Sequence, residues 1–171
     1  MSPQGAPRLA QFDYRGEYVY LLTICTFHRA KVFVDTAFAT TVIAQLLRHA
    51  EEEYFSIPAY CVMPDHVHVV PRGRAVDADL RRFVHRWKQG TGFTWKRDHR
   101  SPLWQRGYHD YVLRDEDHVM RLAKYVVNDP VRSELVTRVE KYPLVGSTEY
   151  ELSEILAAEE WLPASETGEF F

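Results

Sequence analysis

The sequence predicts an α+β fold, an antiparallel sheet with helices packed mainly on one face, and three observations carry that expectation. Apolar and β-branched residues recur with a period of two in short runs, as half-buried strands require. Between those runs lie longer segments whose apolar residues recur every three or four positions, the pattern of amphipathic helices. Two of the runs, 57–63 and 66–70, are separated only by Pro64 and Asp65, a pair that suits a tight turn between antiparallel strands.

Residues 18–27, YVYLLTICTF, form the first expected strand. Asp35 is placed to open a helix running to about Glu53, with Phe38, Val42, Leu46 and Leu47 at apolar spacing. After the hairpin, a second helix spans Asp77 to about Gln89. It turns Leu80, Phe83, Val84 and Trp87 inward and Arg81, Arg82, Arg86 and Lys88 mostly outward, and Gly90 and Gly92 are expected to break it. Residues 108–114 alternate as a short strand, and a third helix runs from Glu116 to about Asn128, ending at Pro130. The order β-α-β-β-α-β-α is that of a ferredoxin-like, RRM-like sheet. Residues 1–146 are expected to form one domain. Residues 147–171 form an acidic tail with a possible short helix, where Thr148 and Glu151 stand at capping-box spacing before Leu152, Ile155 and Leu156.

With 171 residues and 46% hydrophobic content, a single core of ordinary size is available without disulfides. Cys25 and Cys61 are the only cysteines, without CxxC spacing, and are expected as buried reduced thiols. No run of 18 apolar residues and no charged-then-apolar N-terminus occurs, so the expectation is a cytoplasmic chain with no membrane partner. The net charge of −3 hides an uneven distribution: residues 72–106 hold ten Lys or Arg against three Asp, whereas 140–171 hold one Lys against eight Glu. A basic middle and an acidic tail are compatible with a polyanion-binding surface inside a near-neutral total.

The segment PDHVHVV, 64–70, sends His66 and His68 to the same face of one strand. Two imidazoles are a metal half-site and leave a divalent ion short of ligands. On the third helix, at 100° per residue, Val119, Leu122, Ala123 and Val126 form an apolar arc for the sheet. His118, Arg121, Tyr125 and Asp129 fall within about 80° of one another beside it. Tyr125 and Asp129 thus become neighbours one turn apart, a hydroxyl nucleophile and a carboxylate ligand able to complete the histidine site. Taken alone, Tyr125 also fits an ordinary amphipathic tyrosine at a core margin.

These residues resemble the HUH single-strand DNA endonucleases and, within them, the REP-associated tyrosine transposases of the IS200-like superfamily. The resemblance covers about residues 18–136 and rests on VMPDHVHVV at 62–70, LWQRGYHDYVLRDEDH at 103–118 and KYVVNDPVR at 124–132. It implies that His66 and His68 bind a divalent ion, Mg²⁺ or Mn²⁺, and that Tyr125 attacks DNA to leave a 5′-phosphotyrosine and a free 3′-hydroxyl. Family members usually carry Asn or Gln as a further ligand where this chain has Asp129, and more often Asn where it has Asp65. A carboxylate keeps the oxygen donor and adds charge, so hard-cation binding should survive. The implied substrate is single-stranded or hairpin DNA of the repetitive extragenic palindrome type. A monomer and a homodimer both suit the family.

A phenol with its ordinary pKa near 10 needs help to lose its proton at neutral pH. His109 and His118 are the candidates for that transfer, and each also fits an ordinary surface or core histidine. In the basic region, Trp95 and Trp104 flank a polar stretch and are candidates for stacking unpaired bases; Arg97, Arg100, Arg106 and Lys88 are candidates for phosphate contacts. Two other functions remain open from sequence: a domesticated stem-loop DNA-binding protein without cleavage, and an unrelated metal hydrolase or oxygenase.

Overall fold

The computed structural model describes residues 11–113 and 116–160, the side chain of Asp117 excepted. Strands β1 (Val19–Cys25), β2 (Phe55–Met63), β3 (His66–Gly73), β4 (His109–Leu113) and a two-residue β5 (Val145–Gly146) form one antiparallel sheet, in the order β4-β1-β3-β2-β5. The expected α+β class is therefore found, with β3 central and paired on both sides. β5, which no apolar run announced, edges β2 through Tyr60 and Cys61.

Helices α1 (Thr36–Glu52) and α2 (Leu80–Asp98) pack on one face, against Tyr20, Leu22, Ile24, Val67 and Val69. Asp35 caps α1 as its position suggests, Oδ1 accepting from the amides of Ala37 and Phe38 at 3.1 and 3.2 Å. Helices α3 (Val119–Val127) and α5 (Leu152–Ala157) lie on the other face, against Val19, Leu21, Ala59, Cys61 and Val70. The two long helices thus share one face, and shorter ones cover part of the other, with Ile155 of the tail buried there.

A bulge in β2 decides what that second face presents. Between Ser56, opposite Arg72, and Ala59, opposite Val70, β2 has one residue more than β3. Pro58 sits in the bulge, where its missing N–H is tolerated. The alternation reverses there: Ile57 joins the core under α1 and α2, while Ala59, Cys61 and Met63 join the core under α3.

Three expectations need correcting. Helix α2 starts at Leu80 behind the cap Asp79 and does not break at Gly90 and Gly92 but runs through both to Asp98. A Cβ at Gly90 would lie 2.8 Å from Oε1 at the movable end of Gln45 on α1, whereas Gly92 faces open space. The third helix is shorter than expected. A 3-10 turn, Glu116–His118, precedes α3, and Pro130 does not merely end the helix but opens a four-residue α4 (Asp129–Arg132), whose first turn needs no proline N–H. Cys61 is buried but Cys25 only partly so; both are free thiols. The expected strand 108–114 is observed as β4, and Arg114 lies outside the described residues.

Candidate active site

Position parity on β3 places the first two ligands. His66, His68 and Val70 point to the α3 face, and Val67 and Val69 to the other. Each ring is held by its Nδ1. His66 Nδ1 lies 2.7 Å from Asp65 Oδ1, whose other oxygen pairs with Arg29 Nε at 3.2 Å. A carboxylate only accepts, so His66 Nδ1 donates, and in the neutral ring Nε2 is left as a lone pair. His68 Nδ1 lies 3.0 Å from Thr23 Oγ1 on β1, directly across the ladder.

Asp129 reaches the same point from the helix side. Asn128 keeps helical angles at φ −82° and ψ −4°, so the one-turn relation from Tyr125 to Asp129 survives the passage from α3 into α4. His66 Nε2 and His68 Nε2 are 3.2 Å apart, and each lies 3.3 Å from Asp129 Oδ2. His68 and Asp129 are buried, at 3% and 7% exposure, while His66 is half-buried. Burial pushes the His68 imidazole toward its neutral form, against the pull of the Asp129 carboxylate, and the positive charges of His66 and Arg132 act in the same direction as burial. For Asp129, burial works to raise the carboxyl, yet hydrogen bonds that the His66 and His68 rings donate when doubly protonated, and the nearby positive charge, hold it well below the usual carboxylate range.

These donors fit a divalent cation. Cis ligands on one ion with bonds of about 2.1 Å lie about 3–3.4 Å apart, which the three atoms match. Two neutral imidazoles and a carboxylate converging on one point place lone pairs against one another, an arrangement a cation relieves. Among the described residues this is the one cluster of three or more His, Cys, Asp or Glu able to hold an ion. Cys61 lies opposite His68 on β2, where burial, and then the Asp129 charge, push its thiol pKa up.

Arg132, to which the sequence reading gave no role, binds the nucleophile candidate and the ligand together. Its Nη1 donates to the Tyr125 carbonyl at 2.5 Å, its Nη2 to Asp129 Oδ1 at 3.1 Å, and its guanidinium lies over the Tyr125 ring at 4.0 Å. Burial raises the Tyr125 phenol, the Arg132 charge opposes this, and the Asp129 charge adds to it; the net direction is upward, so the hydroxyl is protonated at neutral pH. Arg132 was findable from its helical spacing to Asp129. Thr23 and Arg29 were not, because only strand register and loop path bring them in.

The remaining candidates are scattered. His109 shares the site face, opposite Thr23 on the outer side, and is exposed; His118 caps α3, about 10 Å along the axis from Tyr125. Trp104 is not an exposed stacking platform: it is 8% exposed, its ring lies against Phe33 and Trp87, and its Nε1 donates to Thr91 at 2.8 Å. Trp95 lies within α2 rather than beside a loop, half-buried against Phe38 and stacked on His99 at 3.4 Å. Lys88 donates to the carbonyls of Gln105 and Gly107. Arg97, Arg100 and Arg106 are exposed, Arg97 within 3.8 Å of Asp98.

An antiparallel sheet carries on one face two histidines and a carboxylate that could hold a metal ion, with a tyrosine one helical turn from the carboxylate. The model of the family described as "Transposase IS200 like" matches residues 16–129, and the chain belongs to that family. It is also similar to an uncharacterized protein of Haemophilus influenzae, 22% identical over 155 residues covering 72% of this chain and 86% of that one. A structure of a REP-associated tyrosine transposase bound to a REP hairpin superposes with a TM-score of 0.68 over 82% of each chain at 16% identity, a likeness of fold. No helix among the described residues is long and apolar enough to cross a membrane.

Proposed function

We propose that this chain is a metal-dependent endonuclease and strand-transfer enzyme for single-stranded DNA, of the REP-associated tyrosine transposase type, acting on hairpin DNA. The observation that carries the reading is the convergence of His66 Nε2, His68 Nε2 and Asp129 Oδ2 within 3.3 Å of one another, with Tyr125 tied to Asp129 through Arg132. The hairpin bound by the structural neighbour supports the substrate.

His66, His68 and Asp129 would hold Mg²⁺ or Mn²⁺, which supplies polarisation of a phosphodiester and offsets charge on its oxygens. Tyr125 Oη attacks phosphorus and gives up its proton, the bond to the 3′ oxygen breaks, and that oxygen takes up a proton as a free 3′-hydroxyl. The downstream fragment stays on the tyrosine through its 5′-phosphate, and attack by a second strand's 3′-hydroxyl reverses the step without ATP. Arg132 holds the ring from one side and the ligand carboxylate from the other, so the reacting oxygen and the ion site keep one relative placement.

A labelled hairpin oligonucleotide with a single-stranded flank, incubated with Mn²⁺, should give a protein–DNA band stable to denaturant. Tyr125→Phe should abolish it while binding persists. A band of equal intensity from Tyr125→Phe removes the nucleophile; binding without a band from the native chain, over a panel of hairpins and both metals, favours the non-catalytic stem-loop binder.

A further inference from the structure

The loop from β1 to α1 brings a cation to the end of the sheet that holds the histidines. Residues 27–34 include His28, Arg29 and Lys31 and no acid. His28 and Arg29 both take left-handed backbone angles, with φ of 53° and 55°, which residues carrying a Cβ rarely adopt. Hydrogen bonds to the turn between β2 and β3 hold the loop in that form. Thr26 N and Oγ1 donate to the Asp65 carbonyl at 3.0 and 2.9 Å, and Phe33 N donates to the Pro64 carbonyl at 3.0 Å. Backbone strain of this kind persists only where surrounding contacts enforce it, and it clusters at functional sites.

The strained loop aims Arg29. Its Nε lies 3.2 Å from Asp65 Oδ2 and its Nη1 2.8 Å from Cys25 Sγ, while 51% of the side chain stays exposed. Cys25 has the strand parity of Leu21 and Thr23 and pairs with His66 across the ladder, so the guanidinium stands on the face that carries the histidines. Asp65 Oδ1 in turn lies 2.7 Å from His66 Nδ1, and this short chain of contacts keeps Arg29 about 10 Å or less from His66 Nε2. At the cluster two carboxylates and two arginines pair off, Arg29 with Asp65 and Arg132 with Asp129. A cation held there would face a phosphodiester with its charge undiminished by the carboxylates.

We propose that Arg29 binds a backbone phosphate of the DNA strand, beside the phosphodiester seated at the cluster. The proposal rests on the single-strand DNA reading above and adds to it a substrate contact on the histidine side of the site. Phosphates follow one another along a strand at about 3.4 Å of rise or more, so a strand lying on the cluster brings a second phosphate to Arg29 within a few nucleotides. With Nε and Nη1 held, the guanidinium keeps one orientation, and its exposed part is a pre-placed donor for phosphate oxygens.

The test compares the full native chain with Arg29→Asn and Arg29→Lys on a labelled hairpin oligonucleotide that has a single-stranded flank. Asparagine suits left-handed angles, so Arg29→Asn should melt within a few degrees of the native chain; if it does not, Arg29→Gln takes its place with the same expectations. In chelator, where no ion contributes, Arg29→Asn should bind the hairpin about tenfold more weakly, with a slope of log affinity against log salt smaller by about one. Arg29→Lys should keep the native slope. Calorimetric titration with Mn²⁺ should give the opposite sign: Arg29→Asn binds the ion equally or a few-fold more tightly, because a positive charge near the site has gone. A tenfold loss of Mn²⁺ affinity would make Arg29 a support of His66 through Asp65, and native-like DNA affinity and salt slope would leave it no contact with DNA; either result overturns the proposal. The covalent band of the native chain separates the two readings. A band together with native-like DNA binding by Arg29→Asn removes the phosphate contact alone, and no band together with the expected Arg29→Asn pattern removes the nuclease alone.

Discussion

Replacing Thr23 with Val isolates one hydroxyl. The substitution keeps shape, β-branching and strand preference, so β1 should hold its register. What it removes is the partner of His68 Nδ1 at 3.0 Å, on a ring whose side chain is 3% exposed. A buried polar group left without a partner costs about 1–3 kcal/mol. For a chain of this size each kcal/mol moves the melting temperature by about 2–4 °C, so a drop of about 2–12 °C is expected. The same hydroxyl fixes the orientation that aims Nε2 at Asp129, and loss of such a support typically costs 10- to 100-fold in metal affinity, or about 1.4–2.7 kcal/mol. Calorimetric titration with Mn²⁺ measures the second quantity and near-ultraviolet circular dichroism the first. Thr23→Ser, which keeps the hydroxyl, should restore most of the affinity. A valine variant that binds Mn²⁺ within twofold of the native chain refutes the orienting role.

Asp129→Asn should flatten the acid arm of the stability curve measured in chelator. The folded carboxyl is held below its unfolded value of about 3.9, so its contribution is present above that pH and is lost as pH falls through the lower folded value. The stability advantage of the native chain over the variant, by urea titration, should shrink from pH 6 to pH 3, and an advantage that holds constant sinks the argument. Trp104→Ala should cost about 3–5 kcal/mol because the ring is part of the core. Trp104→Phe should leave oligonucleotide affinity within twofold, and a tenfold loss would return Trp104 to the DNA surface.

Local patterns gave the site its parts, and distant contacts set their arrangement. The histidines share a face because a strand alternates every residue, and Tyr125 and Asp129 share a stripe because a helix turns every 3.6, so both relations were legible from a few adjacent positions. Which face of the sheet α3 covers, and hence whether the two halves meet, depends on packing of Val119, Leu122, Ala123 and Val126 against β1, β2 and β3 from far along the chain. Gly90 and Gly92 misled because glycine lowers helix propensity without ending a helix whose Trp87 and Thr91 are buried by packing. Trp104 misled because its polar sequence neighbours gave no sign that Phe33 and Trp87 close over it.

The guanidinium of Arg132 makes the helical half of the site a single mechanical part. The histidine half is anchored in the central strand, whereas α3 is held between the sheet and α5, with Lys124 Nζ donating to the Ala158 carbonyl at 2.7 Å. Because Arg132 fastens Tyr125 to Asp129, a fluctuation that lifts this unit withdraws both groups in the same event. In the proposed enzyme the nucleophile and the third ligand would therefore be gained or lost in one event, which would limit attack on DNA that is not fully seated.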